Sequence, residues 1–155
     1  MKNQKSKSAF TMIELVFVIV VIGILAAVAI PRLAATRDDA EVTKARVTVA
    51  SIRNALSMER QKRILRGDFA AITAVGSGTN VFDKFSADKD GNQGDVLEYP
   101  MTSSTSSGHW SIVVNNDDAL TTYTFNQNSM TNPVFVVEDG KFVCKTGSDC
   151  SSLID

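Results

Sequence analysis

Positions 15–30 are all apolar or Gly, and extending the run back to residue 10 admits only Thr11 and Glu14 as polar exceptions. Built as an α-helix, residues 10–30 reach about 31 Å at 1.5 Å per residue, close to the thickness of a bilayer's hydrocarbon core. The pattern predicts a membrane-length helix. Beyond Pro31 it changes. Residues 32–66 hold no Gly and no further Pro, good helix formers dominate, and Val42, Ala45, Val49, Ile52 and Leu56 recur at alternating spacings of three and four. This is one apolar stripe, with Lys44, Arg46, Arg53 and Asn54 left on other faces. Residues 10–66 therefore read as a single helix of about 85 Å, apolar all round in its first half and along one side in its second. Pro31 is expected to kink it, because proline lacks an N–H and crowds the preceding turn.

Gly67 ends the helical pattern. Residues 67–108 read as irregular, with short helical or turn elements around Phe82 and Phe85. Strands are expected at 110–114, 121–125, 133–138 and 141–145. Between the last two, Asp139-Gly140 suits a two-residue type I′ turn, which sets Glu138 opposite Lys141, Val137 opposite Phe142 and Phe135 opposite Cys144. An antiparallel sheet of about four strands would lay its apolar face on the helical stripe, with Trp110 and Tyr123 in the core. The expected class is α+β: a long N-terminal helix packed on a small antiparallel C-terminal sheet, in the shape of a lollipop.

Charge sharpens the division. The whole chain carries a formal net charge of −1 and is 44% apolar, whereas 18 of the 21 residues at 10–30 are apolar. Residues 1–31 sum to +2, residues 32–66 to +5 (nine basic, four acidic) and residues 67–155 to −8 (four basic, twelve acidic). One membrane-length apolar block, a basic middle and an acidic end describe a tethered domain rather than a compact cytosolic enzyme or a disordered tail. Catalytic constellations are missing from the pattern: there is one His, no nucleophile elbow and no phosphate-binding Gly loop followed by Lys.

Residues 1–9 are polar, with Lys2, Lys5 and Lys7 as their only charges, like the front of an export signal. Ala26, Ala27 and Ala29 offer an ordinary secretory cleavage site, which would release a soluble head. Three features oppose that: a carboxylate, Glu14, inside the apolar run, where an acid is costly; a helical pattern that continues past Pro31; and the small Ala9 at the polar-to-apolar junction. The run Ala9-Phe10-Thr11-Met12-Ile13-Glu14-Leu15, followed by the apolar block and Pro31, resembles the start of type IV pilins and type II secretion pseudopilins. In that family a short basic leader is removed before a Phe and the fifth mature residue is Glu; Gly is usual where this chain has Ala9.

The resemblance implies a pilin-like fold in four parts: a leader, 1–9; a transmembrane and filament-core half of the helix, 10–31; an amphipathic half, 32–66; and a globular head, 67–155. It implies that prepilin peptidase cuts between Ala9 and Phe10 and that Phe10 is N-methylated. The chain would sit in inner-membrane lipid as a single pass, leader cytoplasmic and head periplasmic. It would then join other pilins or pseudopilins, on a secretion or pilus assembly platform, in a filament in the periplasm or at the cell surface. Cleavage creates an ammonium at Phe10, four residues from Glu14 on one helix face. The carboxylate then has its own amine or a neighbour's as partner, and the resemblance implies the neighbour's, which makes Glu14 the assembly residue. The plainer alternative is a Glu snorkelling to the interface of a signal anchor. Charge alone does not orient the span, because Lys2, Lys5 and Lys7 before it are matched by Arg32, Arg37, Lys44 and Arg46 after it.

Three further groups carry candidate chemistry. Cys144 and Cys150 are the only cysteines; a disulfide would close a small loop, stabilise by about 2.4 kcal/mol on a chain-entropy estimate, and require an oxidising compartment such as the periplasm. Zinc fits poorly, since the spacing is wrong and only His109 adds a nitrogen. The placement resembles the C-terminal disulfide loop of many type IV pilins. Asp88, Asp90, Asn92 and Asp95, spaced by Gly91 and Gly94, form a calcium candidate that lacks the EF-hand's bidentate Glu, set against a plain solvated loop. Arg60, Lys62, Arg63 and Arg66 cluster at the helix end. They read either as a DNA-phosphate site or as cations that suit a helix C-terminus and face the acidic heads of adjacent subunits; no aromatic platform accompanies them. The expected function is a structural subunit of a type IV pilus or type II secretion filament, serving secretion, adhesion, motility or DNA uptake. The alternative is a membrane-anchored periplasmic binding module, such as a minor pilin acting as DNA receptor or adhesin.

Overall fold

The computed structural model describes residues 10–114, 120–128, 131–147 and 150–154. Helix α1, Met12–Leu65, runs through Pro31 as one element. It ends where the sequence places the stop: Gly67 adopts φ 73°, its N–H donates to the Ile64 carbonyl at 2.9 Å, and the Asp68 N–H donates to the Arg63 carbonyl at 2.9 Å. That pair of bonds closes the last turn, and the left-handed conformation it needs costs glycine no steric clash.

Two compact units divide between Arg37 and Asp38. In the first, the apolar side chains from Phe10 to Ile30 are exposed, apart from the half-buried Ala26. By length and composition α1 is long and apolar enough to cross a membrane, with a mean hydropathy of 3.1 in its most apolar window, none of which is buried.

The second unit holds the remainder of α1 and the sheet. Strands β1 (Asn80–Val81) and β2 (Met101–Thr102) pair with each other. Strands β3 (Trp110–Val113), β4 (Thr122–Phe125), β5 (Val134–Glu138) and β6 (Lys141–Thr146) form an antiparallel meander in chain order. Helix α2, Cys150–Ile154, follows. At the β5–β6 turn Asp139 and Gly140 both take positive φ, 51° and 70°, as a type I′ turn requires. The register is as the turn dictates: Glu138 opposite Lys141, Val137 opposite Phe142, Phe135 opposite Cys144. The α+β class is therefore the observed one.

The stripe of α1 and the inner face of the sheet share one core. Ala45, Val49, Ile52 and Leu56 are buried with Trp110, Tyr123, Phe125, Phe135 and Phe142. Phe135 and Phe142 stack with ring centroids 4.9 Å apart. Phe82 meets Trp110 edge-on at 5.2 Å. The helical or turn elements expected around Phe82 and Phe85 are replaced by β1 and irregular chain. Phe82 sits at φ 61°, a left-handed conformation that no right-handed helix tolerates, and full burial of its ring is what holds it there.

Candidate assembly site and the charged sites of the head

At the start of α1, Thr11 and Glu14 bond reciprocally. The Glu14 Oε2 accepts from the Thr11 N–H at 2.9 Å and from the Thr11 hydroxyl at 2.7 Å, and the Thr11 Oγ1 accepts from the Glu14 N–H at 3.3 Å. This is a capping box, Thr at the cap and Glu three residues on. It satisfies N–H groups that otherwise lack partners at a helix start. The Thr-x-x-Glu spacing before an apolar run signals it in the sequence, yet reasoning from the charge of Glu14 alone misses it. The other carboxylate oxygen, Oε1, takes no bond among the described residues. Phe10 is exposed beside it. Ala9, the other side of the expected cut, lies outside the described residues, as do Lys2, Lys5 and Lys7.

The basic cluster at the far end of the helix is not one surface. Arg63 is 2% exposed, with Nε donating to Glu59 Oε1 at 3.1 Å and Nη2 donating to the Ser86 carbonyl. It continues the apolar stripe, since 56, 59 and 63 keep the spacing of three and four, and the DNA-phosphate role is corrected for it: a buried, paired guanidinium meets no phosphate. Lys62 stands 3.6 Å from the same Glu59. Arg66 Nη1 lies 4.0 Å from Asp88 Oδ2. Arg60 stays exposed, forming no ion pair among the described residues.

The structure brings part of that cluster against part of the calcium candidate. Glu59, Lys62, Arg66, Asp88, Asp90 and Asn92 line one cleft of about 450 Å³. The four candidate ligands do not converge. Asp88 Oδ1 accepts from the N–H groups of Asp90 and Asn92 at 3.0 and 2.7 Å, Asp90 faces Lys89 at 2.8 Å, and Asp95 turns away to Lys84. Among the described residues no group of three acidic, His or Cys side chains is placed to hold a metal ion. What the loop does with its carboxylates is fold. The Asn92 and Asp90 N–H groups hold the Asp88 carboxyl below the usual range. The Ala70 and Lys89 N–H groups do the same for Asp68. At Asp83, burial pushes upward and is outweighed by the Ser77 hydroxyl and the N–H groups of Ser77 and Lys84. Tyr123 is buried and pushed up to about 12, its hydroxyl accepting from the Val75 N–H at 2.8 Å.

Cys144 and Cys150 are bonded, their Cα atoms 5.9 Å apart, which ties α2 to β6. Trp110 and Tyr123 are core side chains, 3% and 0% exposed.

Comparison with known proteins bears on the N-terminal segment. Residues 4–30 match the family described as the prokaryotic N-terminal methylation motif. The chain is similar to type II secretion system core protein G of Pseudomonas aeruginosa, 40% identical over 56 residues, covering 36% of this chain and 39% of that protein. It is also similar to type II secretion system core protein G of Vibrio cholerae serotype O1, 34% identical over 58 residues, covering 37% and 40%. The similarity thus spans about two fifths of the length of these relatives. No solved structure matches the chain.

Proposed function

From the premise that this chain carries the N-terminal methylation motif of the type IV pilin and pseudopilin family and is a distant relative of core protein G, we propose that it is a prepilin-type structural subunit, not an enzyme. Its leader is cut between Ala9 and Phe10 by prepilin peptidase, and Phe10 is N-methylated. The apolar half of α1 then leaves inner-membrane lipid for the core of a type II secretion or type IV pilus filament, with the head on the periplasmic side. The observation that carries this is Glu14. It lies inside an apolar segment, both of its carboxylate hydrogen bonds among the described residues use Oε2, and among those residues Oε1 accepts none and is open to a further donor. The ammonium that cleavage creates at Phe10 of an adjacent copy is such a donor, and the pair would set the axial register while the box with Thr11 holds the carboxylate in place.

The disulfide supports a periplasmic head, since it persists in an oxidising compartment. Mass spectrometry of the mature chain tests processing: the expected N-terminal residue is N-methylated Phe10, and a product beginning beyond Ile30 would overturn the proposal. Glu14→Ala tests assembly, with loss of filaments from a correctly processed, membrane-inserted subunit as the expected result.

A further inference from the structure

Glu59, Lys62 and Arg66 follow one another along α1 at spacings of three and four, so one face of the helix end carries an acid and two cations. With Asp88, Asn92 and Gln93 they line the cleft of about 450 Å³, a size within the range of small-molecule sites, about 300–1,000 Å³. The charges in it are matched without being joined. The Glu59 side chain is only 9% exposed. Its Oε1 accepts from Arg63 Nε at 3.1 Å, whereas Oε2 accepts no hydrogen bond among the described residues and has Lys62 Nζ 3.6 Å away. Asp88 is divided in the same way. Its Oδ1 takes the two loop N–H groups, while Oδ2 has Arg66 Nη1 at 4.0 Å and one long bond, 3.4 Å, from Asn92 Nδ2. Both gaps between cation and acid exceed the about 2.7–3.2 Å of a formed N–H···O bond, and both cations are half exposed. Asp90, the third acid of the cleft, is already held by Lys89 at 2.8 Å. Gly94 keeps the space under Glu59 open: a Cβ there would stand 3.2 Å from Oε2.

We infer that this cleft binds a free α-amino acid by both of its charges, the ammonium between Glu59 Oε2 and Asp88 Oδ2 and the carboxylate between Lys62 and Arg66. The arrangement of charge chooses the class. A lone anion drawn to the two cations would also meet two carboxylates, and a lone cation drawn to the carboxylates would meet Lys62 and Arg66. A molecule that is neutral overall and carries an ammonium beside a carboxylate satisfies both pairs at once. It turns two open gaps into charge-assisted hydrogen bonds and gives the nearly buried Oε2 the donor it lacks, which is where its binding energy comes from. The exposed amides of Asn92 and Gln93 suit a polar side chain, so glutamine is the probe.

The test is equilibrium dialysis of radiolabelled L-glutamine against the full chain in detergent micelles, with the melting midpoint followed in parallel. Saturable binding with a Kd of about 1 mM or tighter is expected. N-acetyl-L-glutamine, which lacks the ammonium, and L-glutamine amide, which lacks the carboxylate, are each expected to compete at least about ten-fold more weakly. Lys62 and Arg66 are solvent-facing, so K62A/R66A is expected to keep the wild-type midpoint, to bind glutamine about ten-fold more weakly and to stop distinguishing the acid from its amide. Gly94→Ala, which fills the space beside Oε2, is expected to weaken binding without lowering the midpoint. No saturable binding up to about 10 mM glutamine would overturn the inference. So would an acetylated or amidated compound that competes as well as glutamine, or K62A/R66A binding like wild type. Calcium raising the midpoint while glutamine leaves it unmoved would assign the cleft to a metal ion and likewise overturn it. The inference concerns the head alone, so its failure leaves cleavage before Phe10 and the assembly role of Glu14 standing, and their failure leaves the cleft as it is.

Discussion

Ile24 and Ile52 are the same side chain on the same helix, yet one is 65% exposed and the other fully buried. The comparison holds for the two halves of α1 as a whole. From 15 to 30 the helix is apolar on every side and nothing in that stretch is buried; from 45 to 63 one line of side chains is buried, Arg53 and Ala55 are half-buried and the rest is exposed. Hydrophobicity therefore does opposite work in the two halves. In the second it has been spent on folding, because sheet and stripe cover each other. In the first it remains unspent, and an apolar surface of that extent calls for lipid or for other chains.

The largest effect should come from the buried charge in the folded half. Arg63→Ala leaves the buried Glu59 with only the half-exposed Lys62 at 3.6 Å and frees the Ser86 carbonyl, so denaturant unfolding followed by Trp110 fluorescence should show a loss of about 3 kcal/mol or more. A loss under about 1 kcal/mol would mean that water replaces the guanidinium. Slightly smaller, and more direct, is the pair of isoleucines. Ile52→Ala should cost about 2–5 kcal/mol, while Ile24→Ala should leave unfolding of the head unchanged within about 0.5 kcal/mol. Equal costs would erase the distinction between the halves. Reducing the bond between Cys144 and Cys150, or replacing both with Ser, should take about 2.4 kcal/mol from the head and nothing from the first half of α1.

The extent to which this contrast was legible in the sequence follows from what each signal encodes. The stripe at 42–56 and the β5–β6 register were readable because spacing and the Asp139-Gly140 turn act locally and leave few alternatives. Arg63 was misread as surface because it was judged by charge. Its position, on the same line as Ala45, Ile52 and Leu56, was the better guide: a charge set on an apolar line, with Glu59 one turn before it, is the mark of a buried pair. Strands β1 and β2 are two residues each, too short to show any period, and Phe82 owes its left-handed backbone to neighbours distant in sequence. The Thr11–Glu14 box was legible as a spacing, but a carboxylate in an apolar run draws attention to its charge first.

Acid should separate the two halves again, with a smaller effect. Asp68, Asp83 and Asp88 titrate below their ordinary range in the folded head. A carboxyl depressed by folding adds stability that is present above its unfolded value, about 3.9, and is lost as pH falls through the lower folded values. The head's melting midpoint should therefore be flat from neutral pH down to about 5 and decline below about 4. Helicity of the apolar half in lipid should not follow it. The Asp68→Asn chain, still able to accept but no longer ionised, should show a shallower decline; an unchanged slope would remove that carboxylate from the cause.

The smallest expected change tests the place where, among the described residues, the apolar half makes specific polar contacts. Thr11→Val keeps the shape of the side chain and removes the hydroxyl that both donates to Glu14 Oε2 and accepts the Glu14 N–H. Loss of a helix cap costs about 1 kcal/mol, which corresponds to about five-fold faster hydrogen exchange in the first turn of α1, measured on the full chain in lipid. Head stability should not move. If Glu14 serves only to cap its own helix, Glu14→Gln should preserve filament assembly, because an amide oxygen still accepts from the Thr11 N–H. If it serves a neighbour's ammonium, Glu14→Gln should fail in assembly while Thr11→Val, with its carboxylate intact and merely less well held, retains most of it. The opposite ranking would make the box itself, rather than the charge, the feature that matters at this end of the helix.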